Sequence, residues 1–279
     1  MSEFEPGRLV RVALAVQRLV APNPSLLTGP GTNTYLLGDP PSAVIDPGPA
    51  DGAHVDAIER AAPGLALIIA SHTHPDHSPA AAMLARRTGA RLVGRAAPTD
   101  GRQDLSFSPD IEPARDQIFA LRGGLNVRAI DTPGHASNHV CYLLEEEGML
   151  FSGDHILDGV TPVIIPPDGV MADYLESLRR LRRLPLRTIA PGHGRVLREP
   201  HAVIDGIIAH REQREAKVRR ALERIGSGTL EQLLPYVYED VRLELHGLAR
   251  FSLEAHLIKL QREGRCERDG DTWHGRISK

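Results

Sequence analysis

The chain has 279 residues, of which 41% are apolar and 25% charged, and its net charge is −3. That is enough apolar material for a sizeable core, and nothing in the charge calls for a polyanionic partner. No apolar run approaches the ~20 residues that span a bilayer, and Met1-Ser2-Glu3-Phe4-Glu5-Pro6 does not open a secretory leader, so no membrane partner is expected. Two distant cysteines, Cys141 and Cys266, do not make a disulfide scaffold, and a reducing, cytoplasmic location is the simpler reading.

In chain order, residues 8–20 alternate loosely, as one edge or half-buried strand would. Asn23-Pro24 marks a turn, and Gly29-Pro30-Gly31 leads into a β-rich segment over 32–38. A turn at Asp39-Pro40-Pro41 precedes a strand over 43–46. Asp46 at its end either caps the following turn or touches a metal ligand from behind. Residues 51–62 predict a helix, 65–70 a short buried strand, 79–88 an Ala-rich helix and 91–94 a strand. Residues 98–116 are polar and irregular. Strands are expected over 125–130, 140–144 and 149–151. A helix over 171–184 carries Met171, Tyr174, Leu175, Leu178 and Leu181 on one face. A strand over 187–190 follows.

Around residue 200 the texture changes. Residues 201–224 read as a long charged helix broken by Gly226-Ser227-Gly228. Thr229 is an N-cap for 230–238, another helix runs over about 248–263 and Gly264 stops it. Residues 266–273 read as a hairpin around Asp269-Gly270. Helices followed by a hairpin are what a winged-helix module looks like, so the expected boundaries are 1–200 and 201–279. Residues 201–279 hold 14 basic and 13 acidic residues, a weak footprint for nucleic acid.

The chemistry concentrates in Ser71-His72-Thr73-His74-Pro75-Asp76-His77-Ser78, where four candidate ligands fall within six residues after a strand. Three later turns repeat the pattern of a strand followed by a His or Asp, at His135, Asp154 and His193. Imidazole suits zinc, and catalytic zinc takes three protein ligands and water. His72 and His74 with one later His make such a set. Asp76 and His77 with another make a second, and Asp154 can bridge them. Two ions so held polarise a substrate and supply a hydroxide nucleophile at neutral pH. His54, His201, His210, His246, His256 and His274 lack such spacing and read as surface or satisfied residues. His139 is either a residue behind the site or a plain strand residue.

His72-Thr-His74-Pro-Asp76-His77, Thr-Pro-Gly-His135, Ser-Gly-Asp154 and Pro-Gly-His193-Gly together resemble the metallo-β-lactamase-fold hydrolases, over about residues 8–200. The resemblance implies an α/β fold, an αββα metallo-β-lactamase sandwich, with a small C-terminal winged-helix-like domain. It implies that His72, His74 and His135 hold one metal and Asp76, His77 and His193 a second, with Asp154 shared. Two zinc ions are expected, with iron or manganese as alternatives, and Asp76 is also a catalytic candidate for proton transfer. Gly-Pro-Gly-Thr-Asn-Thr-Tyr35, Val44-Ile-Asp46-Pro-Gly, Tyr174-Leu-Glu-Ser-Leu178 and the tail look similar to the lactamase-β-like group that includes an endoribonuclease. His155 departs from that group, where a small residue or Cys is expected; it reads as a ligand, a substrate contact or a hydrogen-bond donor.

The function implied is hydrolysis of an ester-type bond: phosphodiester, thioester, lactone or β-lactam. The partner is then a small-molecule substrate or single-stranded RNA, the latter for an endoribonuclease. A non-catalytic DNA-binding regulator with a metal-sensing domain is the alternative from another class. Residues 160–168 read either as a lip over the metals or as a connector.

Overall fold

The alternation over residues 8–20 resolves into two strands, β1 (Val10–Ala13) and β2 (Val16–Val20), not one. They pair antiparallel with Ala13 opposite Val16, and the turn leaves Leu14 85% exposed. A two-residue turn leaves the alternation almost unbroken in sequence, which is why the pattern reads as one strand. This is a computed structural model, and it describes residues 3–276.

The chain continues through β3 (Asn33–Gly38), β4 (Pro41–Ile45), α1 (Gly52–Ala61), β5 (Leu67–Ile69), α2 (Ala80–Thr88) and β6 (Arg91–Val93). Then come β7 (Ile118–Ala120), β8 (Asn126–Asp131), β9 (Val140–Leu144), β10 (Met149–Gly153), α3 (Met171–Leu181) and β11 (Thr188–Pro191). The last part is α4 (Pro200–Ile225), β12 (Ser227–Gly228), α5 (Leu230–Val237), α6 (His246–Arg262), β13 (Cys266–Asp269) and β14 (Thr272–Gly275). Sequence reading missed β7 and β12: β7 follows directly on the polar irregular stretch, and β12 lies in the Gly-Ser-Gly break.

These elements group into two compact units. The first holds residues up to Thr132, Asn138–Pro162 and Arg183–His201; the second holds Pro133–Ser137, Val163–Arg182 and residues from Ala202 on. In the first unit, one sheet has the order β1-β2-β3-β4-β5-β6 and the other β11-β10-β9-β8-β7. Side chains alternate strictly, as a period of two requires. Tyr35, Leu37, Ala43, Ile45 and Ile69 point to one core together with Val127, Val140, Tyr142 and Phe151 of the other sheet. Leu36, Val44 and Ile68, one residue out of step, meet Val55 and Ile58 of α1 and Leu84 of α2. Both faces of the first sheet are therefore covered, and each fully buried aliphatic adds about 1.5–3 kcal/mol.

Strand direction sets where function can sit. β4, β5 and β6 run parallel, and β10 is parallel to β11. β8 and β10 both lie antiparallel to β9, so β8, β10 and β11 point the same way. The carboxyl ends of β8, β10 and β11 hence share one rim of their sheet, and those ends precede His135, Asp154 and His193.

In the second unit Trp273, only 1% exposed, packs with Leu222 of α4, Leu233 of α5 and Leu253 and Leu257 of α6. Thr229 caps α5 with a full capping box: its hydroxyl accepts from Gln232 N, and Gln232 Oε1 accepts from Thr229 N. Strands β12, β14 and β13 form a small antiparallel sheet, so the expected hairpin gains a third strand from the Gly226–Gly228 break. Helix α6 packs against α5 and α3. No helix among the described residues is long and apolar enough to cross a membrane.

Candidate metal centre

Each candidate ligand occupies a turn just beyond a strand end, and hydrogen bonds hold those turns from outside. Val140 N donates to Ser71 O at 2.7 Å, tying the turn after β5 to the start of β9. Asn33 Nδ2 donates to Pro191 O and Gly194 O, both at 2.9 Å, and the Tyr35 hydroxyl donates to Pro191 O at 2.8 Å. The Gly-Pro-Gly-Thr-Asn-Thr-Tyr35 stretch thus grips the turn that carries His193. Asp104 N donates to Thr73 O, and the Ser78 hydroxyl to Asp104 Oδ2, which clips the irregular stretch before Leu105 onto the His72–Ser78 loop.

Two groups of ligand atoms result, each with all its atoms within 4.8 Å of one another. The first is His72, His74, His135 and Asp154; the second is Asp76, His77, Asp154 and His193. In the first, His72 Nε2 lies 2.9 Å from His74 Nδ1. In the second, His77 Nε2 lies 3.4 Å from Asp76 Oδ2 and 3.3 Å from Asp154 Oδ1. His193 Nε2 lies 3.1 Å from Asp76 Oδ2 and 3.3 Å from Asp154 Oδ1. Asp154 belongs to both.

The far nitrogens of these rings are already engaged. His77 Nδ1 donates to Asp46 Oδ2 at 3.0 Å, His193 Nδ1 to Gly31 O at 3.2 Å and His135 Nδ1 to Val163 O at 2.9 Å. His72 Nδ1 meets the Ser71 hydroxyl at 3.0 Å, which itself donates to Asp46 Oδ2 at 2.8 Å. In the neutral tautomer these contacts favour, with Nδ1 carrying the proton, Nε2 of each of the four rings would offer its lone pair to an ion once any second proton is lost. Asp46 therefore reaches one ligand of each group, directly at His77 and through Ser71 at His72. Of its two expected contacts, the one observed is with a candidate ligand, His77, and with Ser71 beside His72.

Electrostatics separates the groups. Burial, reinforced by charge at His77, His74 and His139, holds His72 well below the usual imidazole range, in the neutral form that a ligand needs. Burial opposes charge at His77 too, but Asp76, Asp154 and Asp46 outweigh it and push that imidazole up. At His193 burial is likewise overcome by Asp154 and Asp76, raising it to about 9. Burial would raise Asp76 and Asp154, but His77 and His193 keep both carboxyls well below the usual range. In the second group the carboxylates hold their neighbouring imidazoles cationic, the positive charge that a bound metal ion would take over.

The donor set fits metal ions. His77 Nε2 is buried and makes no hydrogen bond, although two carboxylates lie within 3.4 Å of it. Three imidazoles and a carboxylate, or two of each, are nitrogen and oxygen donors of the kind zinc takes. The site is also closely walled: a Cβ on Gly192 would lie 2.7 Å from both Asp154 Oδ1 and His77 Cε1.

All seven residues expected as ligands fall in these two groups. His155, fully buried beside Asp154, falls in neither; its ring lies 5.6 Å from that of His139. His139 stacks 5.0 Å from His72 and engages the Thr132 hydroxyl through Nδ1, which places it behind the site. Sequence reading missed Ser71 as a relay and Asn33 as an anchor; their only signal was a place inside a motif. Within residues 160–168, Val163 O holds His135 and Asp168 Oδ2 accepts from Ser137 N, so this segment supports the His135 turn.

Residues 27–193 match the family model described as "Metallo-beta-lactamase superfamily", and residues 229–273 match "Beta-lactamase associated winged helix domain". A "Beta-lactamase-like protein 2 homolog" of Drosophila melanogaster is 32% identical, over 92% of this chain and 91% of its own length. An "Atrochrysone carboxyl ACP thioesterase" of Aspergillus fumigatus is 30% identical, over 75% of this chain and 65% of its own. A solved metallo-beta-lactamase family protein of Thermus thermophilus aligns with a TM-score of 0.77 at 24% identity, covering 95% of this chain and 100% of that one. These matches bear out the expected fold class, the α/β metallo-β-lactamase fold with a C-terminal winged-helix domain.

Proposed function

This chain belongs to the metallo-beta-lactamase superfamily of hydrolases, and we propose that it is a dinuclear metal hydrolase acting on acyl thioesters. The observation that carries the dinuclear reading is the pair of ligand groups that share Asp154. His72, His74 and His135 would hold one ion, and Asp76, His77 and His193 the other. Zinc is the metal the imidazole-rich set favours, with iron and manganese as alternatives. Bound there, the ions would polarise the scissile carbonyl and bring the pKa of water towards neutrality.

The chain's own residues then have defined tasks. Asp46 and Val163 O orient ring nitrogens, so little reorganisation accompanies binding. Asp76, only partly buried, is the candidate to pass a proton to the leaving thiolate, a role that requires metal binding to relieve the imidazolium charge now holding its carboxyl well below the usual range. The catalytic domain is assigned to residues 1–200 and the winged-helix-like domain to 201–279. A cytoplasmic location completes the proposal, supported by Cys141 and Cys266, which are buried and not joined in a disulfide.

The thioester class rests on the thioesterase-named relative. Ion pairing in the second unit supports a small-molecule substrate over nucleic acid. On α6, Arg250 pairs with Glu231 at 2.9 Å, and Lys259 with Glu215 and Glu263, each at 2.8 Å. Cations matched in this way do not form the unpaired basic stripe that phosphate neutralisation requires.

The test is metal analysis of the purified protein, followed by assay against a thioester, a lactone, a β-lactam, a phosphodiester and single-stranded RNA. Two metal equivalents and preferential thioester cleavage, abolished in His74→Ala and Asp154→Ala, are expected. RNA cleavage without thioester cleavage would replace the substrate class with the endoribonuclease reading. Full activity in both variants, or metal-independent DNA binding as the sole activity, would sink the hydrolase mechanism.

A further inference from the structure

The second unit contains a cavity of about 280 Å³, near the small end of ligand-binding sites. One wall is the segment before and into α3, with Pro166, Val170 and Met171; the other is the face of α6 with Ala255, Ile258 and Arg262. On α6 the lining residues Glu254, Ala255, Ile258, Lys259 and Arg262 recur at helical spacing, so they share one face. The lining is chemically mixed. Val170, Met171, Ile258 and the two prolines are apolar, while Lys259, Arg262 and Arg268 are cationic.

The cations differ in how much of their charge is already balanced. Lys259 is shared between Glu215 and Glu263. Arg268 lies 3.6 Å from Glu254, the one carboxylate lining the cavity, and 3.7 Å from Asp271, and it donates to Gly270 O. Arg262 is exposed and pairs with no carboxylate among the described residues. A cavity with apolar sides and an unbalanced guanidinium at its edge suits a ligand with an apolar body and one anionic end.

The wall of this cavity also holds a proposed metal ligand. Val170 N donates to Gly134 O at 2.8 Å, Asp168 Oδ2 accepts from Ser137 N, and Val163 O accepts from His135 Nδ1. Gly169 leaves this wall no slack: a Cβ there would lie 2.6 Å from Ile165 N. A ligand pressed against Val170 and Met171 therefore acts on a segment hydrogen-bonded to both sides of His135.

We propose that this cavity is a binding site for a small amphipathic organic anion, seated on Arg262, whose occupancy is felt at His135. This goes beyond the hydrolase reading and does not depend on the substrate. Titration calorimetry on the full chain with phenyl phosphate, phenylacetate, inorganic phosphate and benzyl alcohol tests it. Saturable binding of at least one aryl anion is expected, with inorganic phosphate and benzyl alcohol at least tenfold weaker. The tighter aryl anion tells whether a phosphate or a carboxylate is preferred. Arg262→Ala should weaken aryl-anion binding about tenfold with an unchanged circular dichroism spectrum. The His135 ring signal in NMR should shift on binding in the wild type. No saturable binding, equal binding by Arg262→Ala, or phosphate bound as tightly as phenyl phosphate (an adventitious ion only) would overturn the proposal. An unmoved His135 signal would overturn the link to the turn.

Discussion

Asp46 shows how much rests on one side chain. Its backbone φ of +51° lies in the left-handed region, which costs a non-glycine residue about 1 kcal/mol, and its carboxylate accepts from Ser71 N, Ser71 Oγ and His77 Nδ1. Asp46→Ala should therefore cut kcat/KM by about 10–100-fold and lower metal content, read by elemental analysis, while the fold persists. Two histidines outside the site set an acid limit on stability. Burial holds His54 at about 4, with Asp51 acting weakly against it, and burial likewise holds His256 at about 4 despite Glu215. An imidazole depressed on folding leaves the unfolded state with more bound protons between 6.5 and 4. Stability is thus fully present above 6.5, falls as pH drops to 4, and changes no further below it. The loss is up to about 3 kcal/mol for each residue. Melting curves from about pH 7 to about pH 4 should show the decline, and His54→Gln should flatten part of it.

Among the elements, α3 is held against the turn that carries His135. Gly134 sits at φ +141°, and a Cβ there would lie 2.3 Å from Tyr174 Cα, so the turn carrying His135 lies directly against the α3 backbone. The Ser177 hydroxyl donates to Pro133 O at 2.9 Å and fastens the same turn. Gly134→Ala should cost about 3 kcal/mol in chemical denaturation, because helix backbone cannot give way as a side-chain tip can. The helices were legible in the sequence through a cap at Thr229 and through apolar periodicity along Met171–Leu181. Strands β7 and β12 were not, because β7 adjoins a polar irregular stretch and β12 lies in a glycine break, and both are defined by their partners on β8 and β14. Gly226-Ser227-Gly228 reads as a helix stop, and it is one; its pairing with His274 and Trp273 depends on residues nearly fifty positions away.

For the whole molecule, three large clusters of buried apolar side chains hold the fold, so it is expected to persist without metal. Chelation should abolish hydrolysis while leaving the far-ultraviolet circular dichroism spectrum unchanged. It should lower Tm by the linkage expected for ions that bind only the folded state, and added zinc should restore both activity and Tm. A collapse of secondary structure on chelation would contradict this.

The sequence by itself determined the inventory of candidate ligands and the kind of fold. His72, His74, Asp76 and His77 are neighbours along the chain, and His135, Asp154 and His193 each announce themselves by a turn after an apolar strand. Local chemistry of that sort needs no third dimension. Only the tertiary structure decided that Asp154 serves both groups, that Asp46 grips His77 from 31 residues away, and that Asn33 anchors the turn of His193 from beyond 150. Those contacts depend on sheet order and strand direction, which bring distant turns together, and one sequence read along its length does not contain distances across it.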